Sequence, residues 1–297
     1  MSKPVIGFIG LGLMGLGFVE RYVGEGYDVV GFDVMPDRVA AATATGMEAC
    51  HSPADVARRA DVIGCSVTTP QNVSDIIRGA DGLISAGKQP GKVFVDHSTT
   101  PIELTLALVE ALDGATGVAF VDAPVSGGPD AARRGTLAIM AGGRDDAVAQ
   151  ITPAMQTLGS FTHMGGPGAG QATKLVNQTL VLTNYCVMAE AFTLAEKYGV
   201  DASKIPEALA SGHAGSNLLP VMFERMIARD WTPKGYARQV LKDLEMLNDA
   251  AHEKGVPMPM SAQALTLFRM LIAKGKGELD GAAVLELLSR DRAPDHR

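Results

Sequence analysis

Val5-Ile-Gly-Phe-Ile-Gly10-Leu-Gly12-Leu-Met-Gly15 is the stretch on which the fold of this 297-residue chain turns. Val5–Ile9 is a short apolar run that reads as a buried strand, and it passes straight into glycines. The residues after them, Met14–Glu25, carry helical spacing. In a strand–turn–helix of this kind the first glycine permits the tight turn and the second lets a pyrophosphate approach the main chain. The third lets helix and strand pack closely. Unpaired N–H groups and the positive end of the helix dipole would then face the phosphates. A lone Gly-x-Gly-x-x-Gly says little in a chain with 34 glycines. Its context gives it weight: a strand before it, a helix after it, then a second strand ending in an acid. Gly10, Leu11, Gly12, Leu13, Met14 and Gly15 are therefore expected to bind a dinucleotide.

The acid is Asp33, eighteen residues past Gly15, at the end of a second strand over Asp28–Phe32. A carboxylate there accepts hydrogen bonds from a ribose hydroxyl pair and repels a 2′-phosphate, so NAD is expected rather than NADP. Arg38, just beyond, qualifies that preference because it could reach a phosphate. Further strands are expected at Val62–Ser66, Val93–Asp96 and Phe120–Asp122, with a helix over Ile102–Leu112 between two of them. This alternation is the mark of a parallel α/β sheet. Leu137–Ala141 and Phe161–Met164 are expected as edge strands. Val67-Thr-Thr-Pro70 and Asp96-His-Ser-Thr-Thr-Pro101 follow strand ends, where open α/β sheets bind ligands, which makes Val67, Thr68 and Thr99 cofactor-loop candidates. Helix capping competes for these hydroxyls, above all at Ser98 and Thr100.

Gly165-Gly-Pro-Gly-Ala-Gly170 punctuates the chain. From Gln171 onward only helical periodicity remains, so an α/β domain over 1–165 and an all-helical domain over 166–297 are expected. Asp291–Arg297 reads as a frayed tail. The 46% hydrophobic content can fill substantial cores. With 26 Lys+Arg against 33 Asp+Glu, the net charge of -7 offers no footprint for nucleic acid or an anionic membrane. Cys50, Cys65 and Cys186 are far apart and share no ligand spacing, which reads as reduced thiols in a cytoplasmic protein without structural metal. The N-terminus lacks the shape of a signal peptide. Leu175–Ala195 is apolar but is broken by Asn177, Gln178, Asn184 and Glu190, so it reads as a buried helix rather than a membrane span.

Two polar clusters remain. In Asp122-Ala-Pro-Val-Ser-Gly-Gly128, Ser126, Gly127 and Gly128 offer a hydroxyl and unhindered N–H groups, a nest suited to a carboxylate; a plain turn is the competing reading. Lys174 stands where the apolar helix begins. A lysine there either snorkels to solvent or faces a cleft and does chemistry. Asn177 and Gln178, at i+3 and i+4, share its helix face. Lys242, in Gln239-Val-Leu-Lys-Asp-Leu-Glu245, is by default on the solvated face of an amphipathic helix.

Taken in order, Gly-Phe-Ile-Gly-Leu-Gly-x-Met-Gly at 7–15, Asp-Ala-Pro-Val-Ser-Gly-Gly at 122–128, Gly-x-Gly-x-x-x-Lys at 168–174 and Lys-Asp-Leu at 242–244 resemble the β-hydroxyacid dehydrogenase family. That family includes 3-hydroxyisobutyrate dehydrogenases and tartronate semialdehyde (2-hydroxy-3-oxopropionate) reductases, and the similarity spans nearly the whole chain. It implies a Rossmann-type N-terminal domain and an all-α C-terminal domain, as in 6-phosphogluconate dehydrogenase, with a long helix bridging them and the active site in the cleft. By the same resemblance Lys174 is the general acid/base and Ser126, Gly127 and Gly128 hold the carboxylate of a small substrate. Asn177 or Gln178 would orient its oxygen, Thr99 would contact the cofactor and Lys242 would lie near the nicotinamide. A homodimer or homotetramer is implied as well. Many members carry asparagine four residues after the lysine; here Gln178 stands there. Asn177-Gln178 and Ala214-Gly-Ser216 are similar to the tartronate semialdehyde reductases, with His213, Ser216 and Asn217 as candidates for the far end of the substrate. Imine-reducing relatives usually replace the lysine, and non-catalytic dinucleotide-binding relatives should lack it or carry a basic extension. Lys174 therefore speaks against both.

Overall fold

The computed structural model describes residues 3–288, so the tail expected at Asp291–Arg297 lies outside the described residues. The chain forms two compact units, one up to Leu175 and one from Val176 onward. In the first, six parallel strands come in succession: β1 (Ile6–Ile9), β2 (Val29–Phe32), β3 (Glu48–Ala49), β4 (Val62–Cys65), β5 (Val93–Asp96) and β6 (Ala119–Asp122). Five helices connect them: α1 (Leu13–Gly24), α2 (Pro36–Thr43), α3 (Pro53–Arg59), α4 (Pro70–Arg78) and α5 (Ile102–Thr116). The unit continues through β7 (Val125–Ser126), α6 (Gly128–Arg134), β8 (Leu137–Gly142), α7 (Asp145–Gln156) and β9 (Gly159–Gly165).

The strand order is β3-β2-β1-β4-β5-β6-β8-β7, with β9 paired to β8. β8 runs antiparallel to β6 and β7 and parallel to β9. Helices cover both faces of the sheet, which is why its central strands read as continuous apolar runs. Phe8, Val95 and Val121 belong to the core on one side, Ile63, Phe94 and Phe120 to the core on the other. The strand order reverses between β1 and β4, so their carboxyl ends flank the crevice in which such sheets bind ligands. The strands expected at Leu137–Ala141 and Phe161–Met164 are present as β8 and β9, but β8 is not an edge: it pairs with β6, β7 and β9. β3 and β7, two residues each, are too short to leave an alternation that could be read in the sequence.

The turn from β1 to α1 holds only with glycine. Gly10 has φ +89°, and a Cβ there would lie 2.5 Å from the carbonyl oxygen of Ser66. A Cβ on Gly15 would lie 1.8 Å from the carbonyl oxygen of Gly10, so helix and strand can meet this closely only without one.

The helix α8 (Ala169–Tyr198) begins in the first unit and continues into the second. The second unit adds α9 (Ile205–Leu209), α10 (Leu218–Ala228), α11 (Ala237–Glu253) and α12 (Pro259–Ala273), and forms no strand among its described residues. Phe192, Phe223, Leu244, Phe268 and Leu271 fill its core. Asp280 locks the loops together. One of its oxygens accepts the N–H groups of Lys234 (2.9 Å) and Gly235 (3.1 Å), while the other faces Arg225 Nε at 3.5 Å.

Replacing Gly15 with alanine is expected to cost about 3 kcal/mol, at the upper end for overpacking, because the clash is with backbone that cannot rotate away. Urea denaturation checks this: the midpoint should fall with the slope unchanged.

Candidate active site

α1 opens at Gly12, which has no side chain to cap the helix. The space a Cβ would occupy at Gly12 is open except for the Arg38 guanidinium, 3.8 Å away. The carboxylate of Asp33, 8% exposed, stands beside this turn. Its Oδ2 accepts the N–H of Leu11 (2.7 Å) and its Oδ1 that of Met35 (2.8 Å). A carboxylate has about four lone-pair sites, so two remain for ribose hydroxyls. Arg38 Nη1 lies 3.5 Å from Asp33 Oδ2, on a half-exposed side chain. The Leu11 side chain packs into the core, so what it offers the turn is backbone. Leu13 is exposed and Met14 half-buried. An open N–H-rich turn beside a held acid fits a dinucleotide. Val67 packs against Gly10, Thr68 is exposed and Thr99 is half-buried.

Thr69 caps α4, its Oγ1 accepting the N–H of Asn72 at 3.2 Å, whereas the hydroxyls of Ser98 and Thr100 serve the interior. Asp96 is fully buried, and its Oδ2 accepts the hydroxyl of Thr100 at 2.7 Å. Its Oδ1 accepts the N–H of Ser98 at 2.8 Å. Ser98 Oγ in turn accepts the N–H of Val67 at 3.0 Å, joining the two loops. Neither Ser98 nor Thr100 caps α5, whose N-cap is Pro101. Burying a carboxylate demands such partners, and desolvation still raises the pKa of Asp96. His97 is buried against Phe18, with ring centroids 4.7 Å apart, and its Nδ1 bonds the carbonyl of Ala123 at 2.8 Å. Burial lowers its pKa to about 4, so it stays neutral at physiological pH.

Lys174 lies in the second turn of α8 and is buried, 8% exposed. Its Nζ donates to the carbonyl of Val125 at 2.8 Å. That carbonyl adjoins Ser126, Gly127 and Gly128, so the lysine and the glycine nest meet within the first unit. Gly127 and Gly128 have φ of +136° and +75°, conformations that favour glycine, and the space beside Gly128 is open. The start of α8 is held by Asp122, whose Oδ1 accepts the N–H of Gly168 and whose Oδ2 accepts that of Gln171, each at 2.8 Å.

In the second unit, Gln178 Nε2 donates to Asp243 Oδ2, and Lys242 Nζ lies 3.0 Å from Asp243 Oδ1. A carboxylate can only accept, so the Gln178 amide must turn its nitrogen to Asp243 and its oxygen away. Asn177 Nδ2 donates to that oxygen at 2.9 Å. Lys242 is half-buried rather than on a freely solvated face. Ser216 Oγ accepts the N–H of Leu219 and so helps to start α10, and His213, Ser216 and Asn217 are exposed. Sequence reading assigned no role to Asp96, Asp122, Gln171 or Asp243. Asp122 and Asp243 stand inside motifs already quoted, which was the available signal. No group of three or more metal-ligating side chains occurs among the described residues, and no described helix is long and apolar enough to cross a membrane.

Comparison with known proteins gives the family. The family model of the NAD binding domain of 6-phosphogluconate dehydrogenase matches residues 5–166. That of the NAD-binding region of NADP-dependent 3-hydroxyisobutyrate dehydrogenase matches residues 168–288. A probable mitochondrial 3-hydroxyisobutyrate dehydrogenase-like protein of Arabidopsis thaliana is 35% identical over 289 residues, 97% of this chain and 95% of its own. The 2-(hydroxymethyl)glutarate dehydrogenase of Eubacterium barkeri is 35% identical over 290 residues, 97% of this chain and 96% of its own. Among solved structures, 3-hydroxyisobutyrate dehydrogenase of Salmonella typhimurium superposes with a TM-score of 0.87 at 26% identity, covering 96% of this chain and all of that one.

Proposed function

The chain belongs to the β-hydroxyacid dehydrogenases of the 3-hydroxyisobutyrate dehydrogenase type, a family of NAD(P)-dependent oxidoreductases, and on that premise we propose that it interconverts a small hydroxy acid and its semialdehyde with Lys174 as general acid/base. The observation that carries this reading is the buried Lys174 ammonium beside the Val125–Gly128 segment. The Ser126 hydroxyl and the N–H groups of Gly127 and Gly128 bind the substrate carboxylate and thereby fix which carbon is presented for reaction. Lys174 gives a proton to the carbonyl oxygen in reduction and takes it back in oxidation. When bound, the dinucleotide supplies or accepts the hydride. The Gly10–Gly15 turn holds its pyrophosphate, Asp33 its adenosine ribose, and Val67, Thr68 and Thr99 its nicotinamide half.

Asn177, Gln178 and Lys242 complete the proposed site. Asp243 holds Gln178 and Lys242 by their heads, which turns the Gln178 amide oxygen toward Asn177 Nδ2. Tartronate semialdehyde is the favoured substrate, on the Asn177-Gln178 and Ala214-Gly-Ser216 pattern, with 3-hydroxyisobutyrate second. NAD is favoured over NADP because Asp33 occupies the 2′ side of the ribose site and also engages Arg38. Three buried, unpaired cysteines support a reducing compartment, in our reading the cytoplasm.

Self-association belongs to the same proposal. Val176, Leu180, Val187, Leu194 and Tyr198 follow one another at helical spacing along α8, and each is at least 47% exposed. The opposite side of the helix is buried in the second unit, with Leu182, Ala189 and Phe192 in its core. A helix apolar on both sides is normally covered on both, and we assign a second copy of this chain to the outer side.

Lys174→Ala should lower kcat by three orders of magnitude or more on the best substrate among tartronate semialdehyde, 3-hydroxyisobutyrate, 3-hydroxypropionate, threonate and succinic semialdehyde. NADH binding, followed by fluorescence, should be retained; near-normal turnover would sink the assignment. Asp33→Ala should shrink the preference for NAD over NADP, in kcat/KM, at least tenfold, and an unchanged ratio would refute the ribose role. Leu194→Asp should lower the mass seen by light scattering toward one chain, whereas an unaltered oligomer would remove α8 from the interface.

A further inference from the structure

The start of α8 is not capped in the usual way. A helix leaves its first N–H groups without intrahelical partners, and a Ser, Thr, Asp or Asn at the N-cap commonly serves them. Here the acceptor is Asp122, at the end of β6, which lies 46 residues before Gly168 and 49 before Gln171. Two glycines let the strand ends come this near. A Cβ on Gly170 would lie 2.4 Å from the carbonyl oxygen of Met140 and 2.8 Å from Asp122 Oδ2. One on Gly142 would lie 2.6 Å from the N–H nitrogen of Gly170 and 2.7 Å from Asp122 Oδ1. The Gln171 side chain adds a second attachment. Its Oε1 accepts the N–H of Thr100 (3.1 Å) and its Nε2 donates to the carbonyl of Ser98 (2.9 Å).

Lys174 follows Gln171 by three residues, and Val125 follows Asp122 by three. Two ties therefore join the same pair of segments: helix N–H to carboxylate at one end, ammonium to carbonyl at the other. We propose that Asp122 is a positioning residue of the reaction, its clamp on Gly168 and Gln171 fixing Lys174 Nζ at the Val125–Gly128 loop. The inference rests on the reading of Lys174 as the acid/base. A misplacement of about 1 Å can cost a reaction on the order of 100-fold, so an anchor one turn from the reacting nitrogen has a large effect on rate.

Ionising Asp122 works against stability. Burial pushes the pKa of Asp122 up to about 6, with the buried Asp96 on β5 adding to the rise and the two N–H donors opposing it. Lys174 on α8, His97, neutral above its own pKa of about 4, and Cys65 on β4, whose Sγ lies 3.3 Å from Asp96 Oδ1, are titratable side chains of the adjoining segments. A folded-state pKa above the unfolded value means that the native protein holds the proton longer. Stability is then lost as pH rises from the ordinary aspartate value to about 6, and the loss persists above it. The chain thus keeps, at neutral pH, a charge that costs it stability at the point where the lysine helix is held.

A double-mutant cycle tests the role. Asp122→Asn keeps the size but turns an amide N–H toward a backbone N–H. It should lower kcat on the best substrate about 100-fold while leaving the NADH dissociation constant within twofold. In the Lys174→Ala background the same change should cost less than twofold further, because the residue it acts through is gone. An equal loss in both backgrounds would mark a purely structural role and overturn the proposal, as would an unchanged kcat. Near-normal turnover of Lys174→Ala alone would identify the catalytic reading as the part that failed, and the positioning role would fall with it. Should Asp122→Asn not fold, the wild-type protein decides: the amide resonances of Gly168 and Gln171 should titrate with the acid limb of kcat, near pH 6. Titration at a different pH from that limb would overturn the proposal.

Discussion

Two hydrogen bonds from the first turn of α8 to the carboxylate of Asp122 join helix to sheet, and the polar groups around them are arranged as that burial requires. A carboxylate taken out of water must find donors or give up its charge. Asp122 finds two backbone N–H groups at a helix start, which also carries the favourable end of the helix dipole. Asp96, one strand away, finds Ser98 and Thr100. Gln171 bridges the two neighbourhoods by bonding the β5–α5 loop through its side chain while its N–H serves Asp122. The ends of β5 and β6 and the start of α8 are thus one connected polar network, and Lys174 stands one turn above it.

This arrangement explains why hydroxyls that look suited to a ligand are unavailable to one. Ser98 and Thr100 are consumed by Asp96 and by the Val67 N–H, whereas Thr99 between them is the half-buried residue of the three. The glycine turn shows the same economy. Leu11 gives its side chain to the core and its N–H to Asp33, so the acid is oriented before any ribose arrives. In the helical unit Asp243 does for Gln178 and Lys242 what Asp33 does for the turn, holding polar heads in one orientation. Preorganisation of this kind spares a binding step the cost of ordering those groups.

Much of the fold was legible because its signals are local. Strand period, glycine punctuation and the change to helical spacing after Gly170 are read within windows of a few residues, and the sheet and helices follow them closely. The glycine turn and Asp33 were legible for the same reason: one strand–turn–helix–strand unit contains them all. Lys174, Ser126, Gly127 and Gly128 stood out as charge or glycine in an unexpected context. Asp122, Asp96, Gln171 and Asp243 did not, since each is an ordinary polar residue at an ordinary element end. Their partners are far away in sequence, 46 and 49 residues for Asp122 and 65 for Gln178 with Asp243.

Read alone, the sequence carries the main parallel strands, the change to helices after Gly170, the glycine positions of the turn and the resemblance to the family. Steric limits on φ and the periods of strand and helix are properties of short segments, so they are written where they act. Only the tertiary structure decided which carboxylates are buried and what satisfies them. It also decided that the Ser98 and Thr100 hydroxyls turn inward and that the Lys174 ammonium rests on the carbonyl of Val125, 49 residues away. Those outcomes depend on desolvation and donor supply at points where distant segments meet, and no local window of sequence contains both sides of such a meeting.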